Sequence, residues 1–346
     1  MAGGPDVAAV VVSHNSAADA PRTLAALAEQ LRPGDELIVV DTASSDGTPQ
    51  VVRDAVPSAR VIEAGANLGF AGGCSFGADA TDAALLLFVN PDAVPAGGFV
   101  DALRAAGDAE PAWGAWQALV TLEDEGVVNT AGNVAHWLGV GWAGLCDEPV
   151  SAAPATRAEV GYPSGAALMV RGAAWRALGG FDSRYFLYGE DQDLGLRLRL
   201  AGWGLGIEPA ARIAHDYDFI KGDYKWFHLE RNRWWTVLAD YPGPLLALVL
   251  PALLAFEVAL LPVAAKGGWL RAKLRSQVAV LRELPAILRR RAEVQATRTV
   301  SARAFADGLS ASLESPYLSG AAAVPLLPAL QRAYWRAVRA LLALGG

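Results

Sequence analysis

The apolar positions of the first third fall into short unbroken runs, separated by longer stretches with helical spacing. Val7–Ser13 (VAAVVVS), Glu36–Asp41 (ELIVVD), residues 59–63 (ARVIE) and residues 84–90 (ALLLFVN) are continuous and apolar. Strands buried on both faces of a parallel sheet have this pattern. Between the first two runs, Leu24, Leu27 and Leu31 recur at three- and four-residue intervals, which predicts a helix over residues 17–31. After the second, Ser44-Ser45-Asp46-Gly47-Thr48 offers polar side chains to cap a helix starting near Pro49. Strand and helix in alternation predict an α/β chain with a doubly wound sheet. Residues 113–163 show no comparably clear pattern.

The pattern changes at Gly243. Residues 243–265 carry one charge, Glu257, and three prolines; residues 266–292 then hold eight Lys or Arg against one acid, Glu283. This places a boundary near Tyr241-Pro242, with an α/β domain over residues 1–242 and a helical, membrane-associated region over residues 243–346. The apolar run is barely long enough to span a bilayer, Pro251 and Pro262 interrupt it, and Glu257 would be costly at its centre. The domain before the run is expected in the cytoplasm, and the basic run after it favours that side too. A re-entrant hairpin or interfacial helices satisfy both flanks, with Trp269 and the basic residues at anionic headgroups. The alternative is a buried hairpin of a soluble protein. Just before the boundary, residues 224–241 mix aromatics with Arg231 and Arg233. They read either as a helix packed on the sheet or as a platform for an acceptor or a membrane interface.

Composition narrows the class further. A chain of 346 residues, 53% hydrophobic with mean hydropathy +0.26, can bury a large core without staples. Its two cysteines, Cys74 and Cys146, form neither a disulfide framework nor a zinc pattern. The net charge of −7 argues against a nucleic-acid partner. The N-terminal stretch has no basic segment or cleavage-like site, so no signal peptide is expected and the chain is expected to start in the cytoplasm.

The candidate chemistry lies where the predicted strands end, the edge at which open α/β sheets bind ligands. Ser13-His14-Asn15 follows the first strand, and Asp41 with Asp46-Gly47 follows the second. Asn67-Leu68-Gly69-Phe70-Ala71-Gly72-Gly73 follows the third, and Asn90-Pro91-Asp92 ends the fourth. A carboxylate there can accept from a nucleobase or ribose, and clustered glycines allow a ligand close to the backbone. Each motif alone also reads as an ordinary turn; four at successive strand ends point to a site. A second constellation is Glu190-Asp191-Gln192-Asp193 with Arg197, opening a helix. Capping and an i,i+4 pair explain part of it. Three crowded acids also repel, which raises a pKa as a general base requires. His215, on a strand over residues 212–215 after a turn-rich stretch, combines with Asp92 as a site for Mg²⁺ or Mn²⁺.

Read in order, VVVSHN, VVDTASSDGT, NLGFAGG, LFVNPDA, the block over residues 164–203 and IAHDY resemble a bacterial family-2 glycosyltransferase of the rhamnosyltransferase-like branch, over roughly residues 7–240. The resemblance implies a GT-A fold, a Rossmann-like mixed sheet with flanking helices, and inverting transfer in one displacement. It implies that Asp41 and Asp46 hold nucleobase and ribose, with Ser13, Asn15, Asn67, Gly69 and Asn90 beside the donor. Asp92 matches the last acid of the DXD metal motif, Asp191 the general base next to Glu190, and His215 a histidine completing the metal site. Asn90 replaces the first acid of DXD. The expected partners are a nucleotide-sugar donor, with dTDP-rhamnose first and UDP-sugars as alternatives, a lipid-linked or polysaccharide acceptor in cell-envelope assembly, and membrane lipids. The expected location is the cytoplasmic face of the cell membrane. A nucleotidyltransferase is the enzymatic rival, but it would place a cationic Gly-rich loop after the first strand, where Ser13-His14-Asn15-Ser16 stands. A membrane scaffold that has lost activity is the rival outside enzymes.

Overall fold

The computed structural model describes residues 6–216, 222–313 and 327–344; Tyr217 of the IAHDY motif lies outside them. Among these residues two compact units are distinguished, the first comprising 6–133, 143–198 and 203–216, the second 134–142, 199–202, 222–313 and 327–344.

The first unit is built on one mixed sheet. Its strands are β1 (Val7–Ser13), β2 (Glu36–Asp41), β3 (Arg60–Glu63), β4 (Leu85–Val89), the short β5 (Val94–Pro95), β6 (Trp113–Thr121) and β7 (Val128–Thr130). After the hairpin strands β8 (Asn133–Ala135) and β9 (Gly141–Ala143) come β10 (Ala158–Glu159), β11 (Ala167–Arg171) and β12 (Gly204–Ala214). Along the sheet the order is β10-β12-β6-β11-β4-β1-β2-β3. The four predicted strands form the parallel half, with Val10 of β1 in register with Ile38 of β2 and Phe88 of β4. Every residue of β1 is buried, as continuous apolar runs covered on both faces must be. In the other half, β11 runs antiparallel to both β4 and β6.

The helices of this unit are α1 (Ala20–Ala28), α2 (Thr48–Ala55), α3 (Gly69–Ala78), α4 (Phe99–Ala109), α5 (Gly172–Leu178) and α6 (Glu190–Leu200), the last ending in the second unit. The first is shorter than residues 17–31, because Ser16 to Asp19 form turns ahead of Ala20 and the chain leaves the helix after Glu29. The glycine cluster is not the loop its composition suggests. Gly69 begins α3, and Gly73 and Gly77 let that helix lie on the sheet; a Cβ at Gly73 would stand 2.6 Å from Val12, and one at Gly77 2.5 Å from Val10. The turn-rich stretch before His215 is also different. Glu208 to Arg212 is a register shift inside β12, which continues past it to Ala214, so this is one long strand with an irregularity.

In the second unit the main helices are α7 (Asp223–Asp240), α8 (Gly243–Lys266), α9 (Leu270–Ala296), α10 (Ala302–Asp307) and α11 (Leu327–Leu344). Residues 224–240 thus do form a helix, and it packs on α9, which brings it into this unit ahead of the composition change at Gly243. Glu257 is not the uncompensated charge the sequence suggests. It pairs with Arg233 of α7, accepts from Lys273 Nζ of α9 at 2.7 Å and from Gln277 Nε2 at 2.7 Å. Lys273, fully buried, also donates to Glu230 at 2.6 Å. Three helices are cross-linked by charges that are costly to bury singly and tolerable when mutually paired. Around this network α8 buries Leu245, Val249, Leu253 and Leu260 on one side. The opposite side leaves Leu250, Leu254, Val258 and Val263 exposed, Val258 at 67%. By length and composition alone, α8 is also the single helix among the described residues able to cross a bilayer.

Candidate active site

At the ends of β1 and β2 the polar residues are joined to one another. Ser13 Oγ donates to the buried Asp41 carboxylate at 3.3 Å, whose other oxygen accepts from the Ser44 amide at 3.0 Å. His14 Nδ1 donates to the Thr42 carbonyl at 2.7 Å, which leaves Nε2 to accept from Asn67 Nδ2 at 3.3 Å. Asn67 Oδ1 in turn accepts from the Gly69 amide at 2.9 Å and so opens α3. His14 therefore ties three strand-end segments together, a role that sequence alone did not single out.

Asn15 and Asp46 are mostly occupied in shaping these loops. Asn15, at φ +53°, accepts from the Ser45 amide at 2.8 Å. Asp46 accepts from the Thr48 hydroxyl at 2.5 Å and amide at 3.0 Å, and from the Ala17 amide at 3.0 Å. The Thr48 hydroxyl, followed by the Ala17 amide, holds its carboxyl below the usual range. Both residues hold the loop around Asp41 in place.

The next cluster lies at the end of β4. His215, just beyond β12, puts Nε2 3.2 Å from Asp92 Oδ1 and 3.4 Å from the Asn90 side-chain amide. Asn129 Nδ2 donates to the His215 carbonyl at 2.9 Å and fixes the end of the strand. Two donors on one octahedral Mg²⁺ or Mn²⁺ at about 2.1 Å sit about 3.0 Å apart. The Asp92 to His215 separation fits that requirement, and Asn90 can turn an amide oxygen toward the same point. Among the described residues no group of three His, Cys, Asp or Glu side chains gathers for a metal, so phosphate oxygens or water would have to supply the remaining ligands.

Glu190 and Asp191 start α6 beside this cluster. Asp191 Oδ2 accepts from the Gly165 amide at 3.1 Å and Oδ1 from the Gln192 amide at 2.8 Å. Ala166, next to Gly165, accepts from the Asn90 amide at 3.1 Å. Two adjacent residues of one loop thus touch both the acid pair and the metal-type cluster. Gln117 of β6 holds that loop by accepting from the Ser164 amide at 2.8 Å. Burial pushes the Asp191 carboxyl up to about 6 against the opposing backbone donors. Glu190 is raised well above its ordinary value, first by burial and then by the neighbouring Asp191 charge. Its Oε2 is buried with no hydrogen-bond partner among the described residues.

Asp193 behaves differently from its two neighbours. Arg197 Nε and Nη2 donate to it at 2.9 and 2.6 Å, Tyr185 Oη adds a third bond at 3.1 Å, and both charged groups are 1% exposed. Breaking such a pair from one side costs on the order of 3–5 kcal/mol; its work is to hold the fold under Asp191. Just before the acids, Phe186 and Tyr188 adopt φ +63° and +68°, a region that costs a non-glycine residue about 1–3 kcal/mol. The Phe186 carbonyl accepts from the Ala71 amide at 3.1 Å, and a Cβ on Gly69, at φ +65°, would stand 2.3 Å from that oxygen. Gly69 is therefore required for backbone approach, and Phe186 links α3 to the acid pair. Phe186, Gln117 and Asn129 have no composition cue of their own.

The sheet with its polar edge belongs to the GT-A class of sugar-transferring folds. Among solved structures, the chain resembles a mannosyltransferase from Pyrobaculum calidifontis in complex with GDP-Man and Mn²⁺, with a TM-score of 0.51, 18% identity and 86% of each chain covered. It also resembles GalNAc-T7 with UDP, GalNAc and Mn²⁺, with a TM-score of 0.56 and 13% identity over 70% of this chain, which spans 49% of that longer protein. Residues 8–136 match the model of glycosyl transferase family 2. The N-acetylglucosaminyl-diphospho-decaprenol L-rhamnosyltransferase of Mycobacterium tuberculosis (strain ATCC 25618 / H37Rv) is 33% identical over 232 residues, covering 60% of this chain and 74% of the relative. The chain belongs to glycosyltransferase family 2 and is similar to its rhamnosyltransferases.

Proposed function

We propose that this glycosyltransferase moves rhamnose from dTDP-rhamnose to a lipid-linked or polysaccharide acceptor of the cell envelope, with inversion at the anomeric carbon. The observation that carries this reading is the similarity to a relative named for L-rhamnose transfer to a decaprenol-linked amino sugar. Asp41, with Ser13 and the loop shaped by Asn15 and Asp46, receives the nucleoside end of the donor, and Asn67 and Gly69 flank it. Asp191 takes the proton of the attacking acceptor hydroxyl, a task suited to a carboxylate raised toward neutrality. Asp92 and His215, with Asn90 beside them, would hold Mg²⁺ or Mn²⁺, and a cation bound there would neutralise charge on the departing diphosphate. The donor choice is tested by thermal shift with dTDP-rhamnose, UDP-sugars and GDP-mannose at equal concentration. The largest rise in Tm is expected with dTDP-rhamnose; a larger rise with a UDP-sugar would replace it as donor.

The second unit is proposed to sit on the cytoplasmic face of the cell membrane without a lasting single crossing. What supports this is the apolar side of α8 that its own unit leaves exposed, with the basic run following it. Vesicles with anionic lipid should carry the full chain upward in a density gradient. Leu254→Lys with Val258→Lys should lower bound protein about tenfold or more, since each loses about 1.5–3 kcal/mol of apolar burial. Equal flotation of the variant would remove α8 from the contact.

A further inference from the structure

The basic run in α9 divides into two sets with different surroundings. Lys273 is buried among Glu230 and Glu257, Arg290 pairs with Glu293 at 3.2 Å, and Arg291 donates to the carbonyls of Leu238 and Tyr241 at 2.7 and 2.8 Å. Arg271, Arg275 and Arg282 are exposed instead, spaced four and seven residues apart so that they share a face. Among the described residues no carboxylate is within ion-pair distance of these three. The nearest acid in sequence, Glu283, is taken by Arg231 at 2.7 Å and by Trp235 Nε1 at 2.7 Å.

Beside this row runs an apolar one. Leu274, Val278 and Leu281 lie on neighbouring turns, exposed at 47%, 44% and 71%. Phe227 of α7 borders them, and the Arg275 guanidinium carbon stands 5.7 Å from its ring centroid. Phe227, Arg271, Leu274, Arg275, Val278 and Arg282 line a groove of about 650 Å³. An apolar floor with a cationic wall that has no carboxylate partner among the described residues suits an amphiphile that joins a polyanionic group to a hydrocarbon chain. Arg271 and Arg275 lie one helical turn apart, about 6 Å of rise, within reach of the two phosphates of one diphosphate. Guanidinium forks match phosphate oxygens geometrically.

We propose that this groove holds the diphosphate and first isoprene units of a prenyl-diphosphate-linked acceptor, with Arg271 and Arg275 on the phosphates and the hydrocarbon on Leu274, Val278 and Phe227. The assignment rests on the lipid-linked reading of the acceptor given above. It gives the exposed leucines and unpaired arginines one common ligand and separates acceptor capture from the general attraction of an anionic surface.

The test is calorimetric titration of the full-length chain with farnesyl diphosphate, alongside inorganic diphosphate, farnesol and phosphatidylglycerol vesicles. Farnesyl diphosphate should bind more tightly than inorganic diphosphate or farnesol. Arg271→Gln with Arg275→Gln should weaken it about a hundredfold, as two charge-assisted contacts worth about a factor of ten each are lost. Arg289→Gln, exposed on the same helix outside the groove, should leave it unchanged. Equal weakening by Arg289→Gln, or a double variant that binds like the wild type, would overturn the proposal. So would a double variant that loses vesicle binding to the same degree as farnesyl diphosphate, because the stripe would then be a general anionic-surface contact. Donor turnover of the same wild-type preparation keeps the two readings apart. Turnover without farnesyl diphosphate binding removes the groove and leaves the transferase. Binding without turnover overturns the occupant's assignment as an acceptor.

Discussion

Asp191→Asn is expected to leave donor binding intact and to lower turnover by about two to four orders of magnitude, the usual worth of a positioned general base. The amide keeps the size of the carboxylate and one oxygen to accept from Gly165 or Gln192, so the start of α6 should survive. What it cannot do is take a proton. The wild-type pH profile gives the same residue a second signature. Burial raises the Asp191 carboxyl to about 6, and the base acts only when ionised. Activity should therefore be full above that value and fall as pH drops through it, with kcat/KM losing about tenfold per unit below. Measuring kcat/KM from pH 4.5 to 8.5, with donor affinity by calorimetry, checks both. Near-normal turnover in the Asn variant would remove Asp191 from the role. Glu190 is the acid it would pass to, since its buried Oε2 has no hydrogen-bond partner among the described residues.

The second large effect concerns the cation. Chelator should abolish most turnover, and added Mg²⁺ or Mn²⁺ should restore it. Asp92→Ala should weaken nucleotide-sugar binding in metal-containing buffer by about ten- to a hundredfold, an oxygen ligand being lost from a site with few protein ligands. His215→Ala should act in the same direction, because its Nε2 is 3.2 Å from Asp92 Oδ1. The same substitutions measured in chelator should change affinity little. That difference separates a cation ligand from a residue that merely supports β12. Full activity in excess chelator would mean that side chains alone neutralise the leaving diphosphate.

Much of this was legible in the residues, for identifiable reasons. β1 and β2 are buried on both faces, so their apolar runs coincide with the strand limits. The acids at the start of α6 stand out because three carboxylates in four residues exceed what a helix start requires. Other features depended on partners far along the chain. The glycines from Gly69 to Gly73 read as a loop, because nothing local reveals that Val12 lies against Gly73. The irregular stretch in β12 looked like turns, since the strand's continuity is set by β6, its parallel neighbour. Glu257 looked prohibitively charged because Arg233 and Lys273 reach it from two other helices. Gln117 and Asn129 escaped for the same reason. Each is an unremarkable polar residue until the fold sets it against the 164–166 loop or His215.

Sugar transfer from a nucleotide donor through Asp191 has a stoichiometric signature. Its most direct test follows nucleotide products when the full-length chain and its Asp191→Asn variant meet a panel of dTDP-, UDP- and GDP-sugars with Mg²⁺ and a prenyl-diphosphate-linked amino sugar. The wild type should release nucleoside diphosphate in step with one sugar gained by the acceptor, and both should fall together in the variant. Release of nucleoside monophosphate or triphosphate instead, or equal consumption of donor by both proteins, would contradict it.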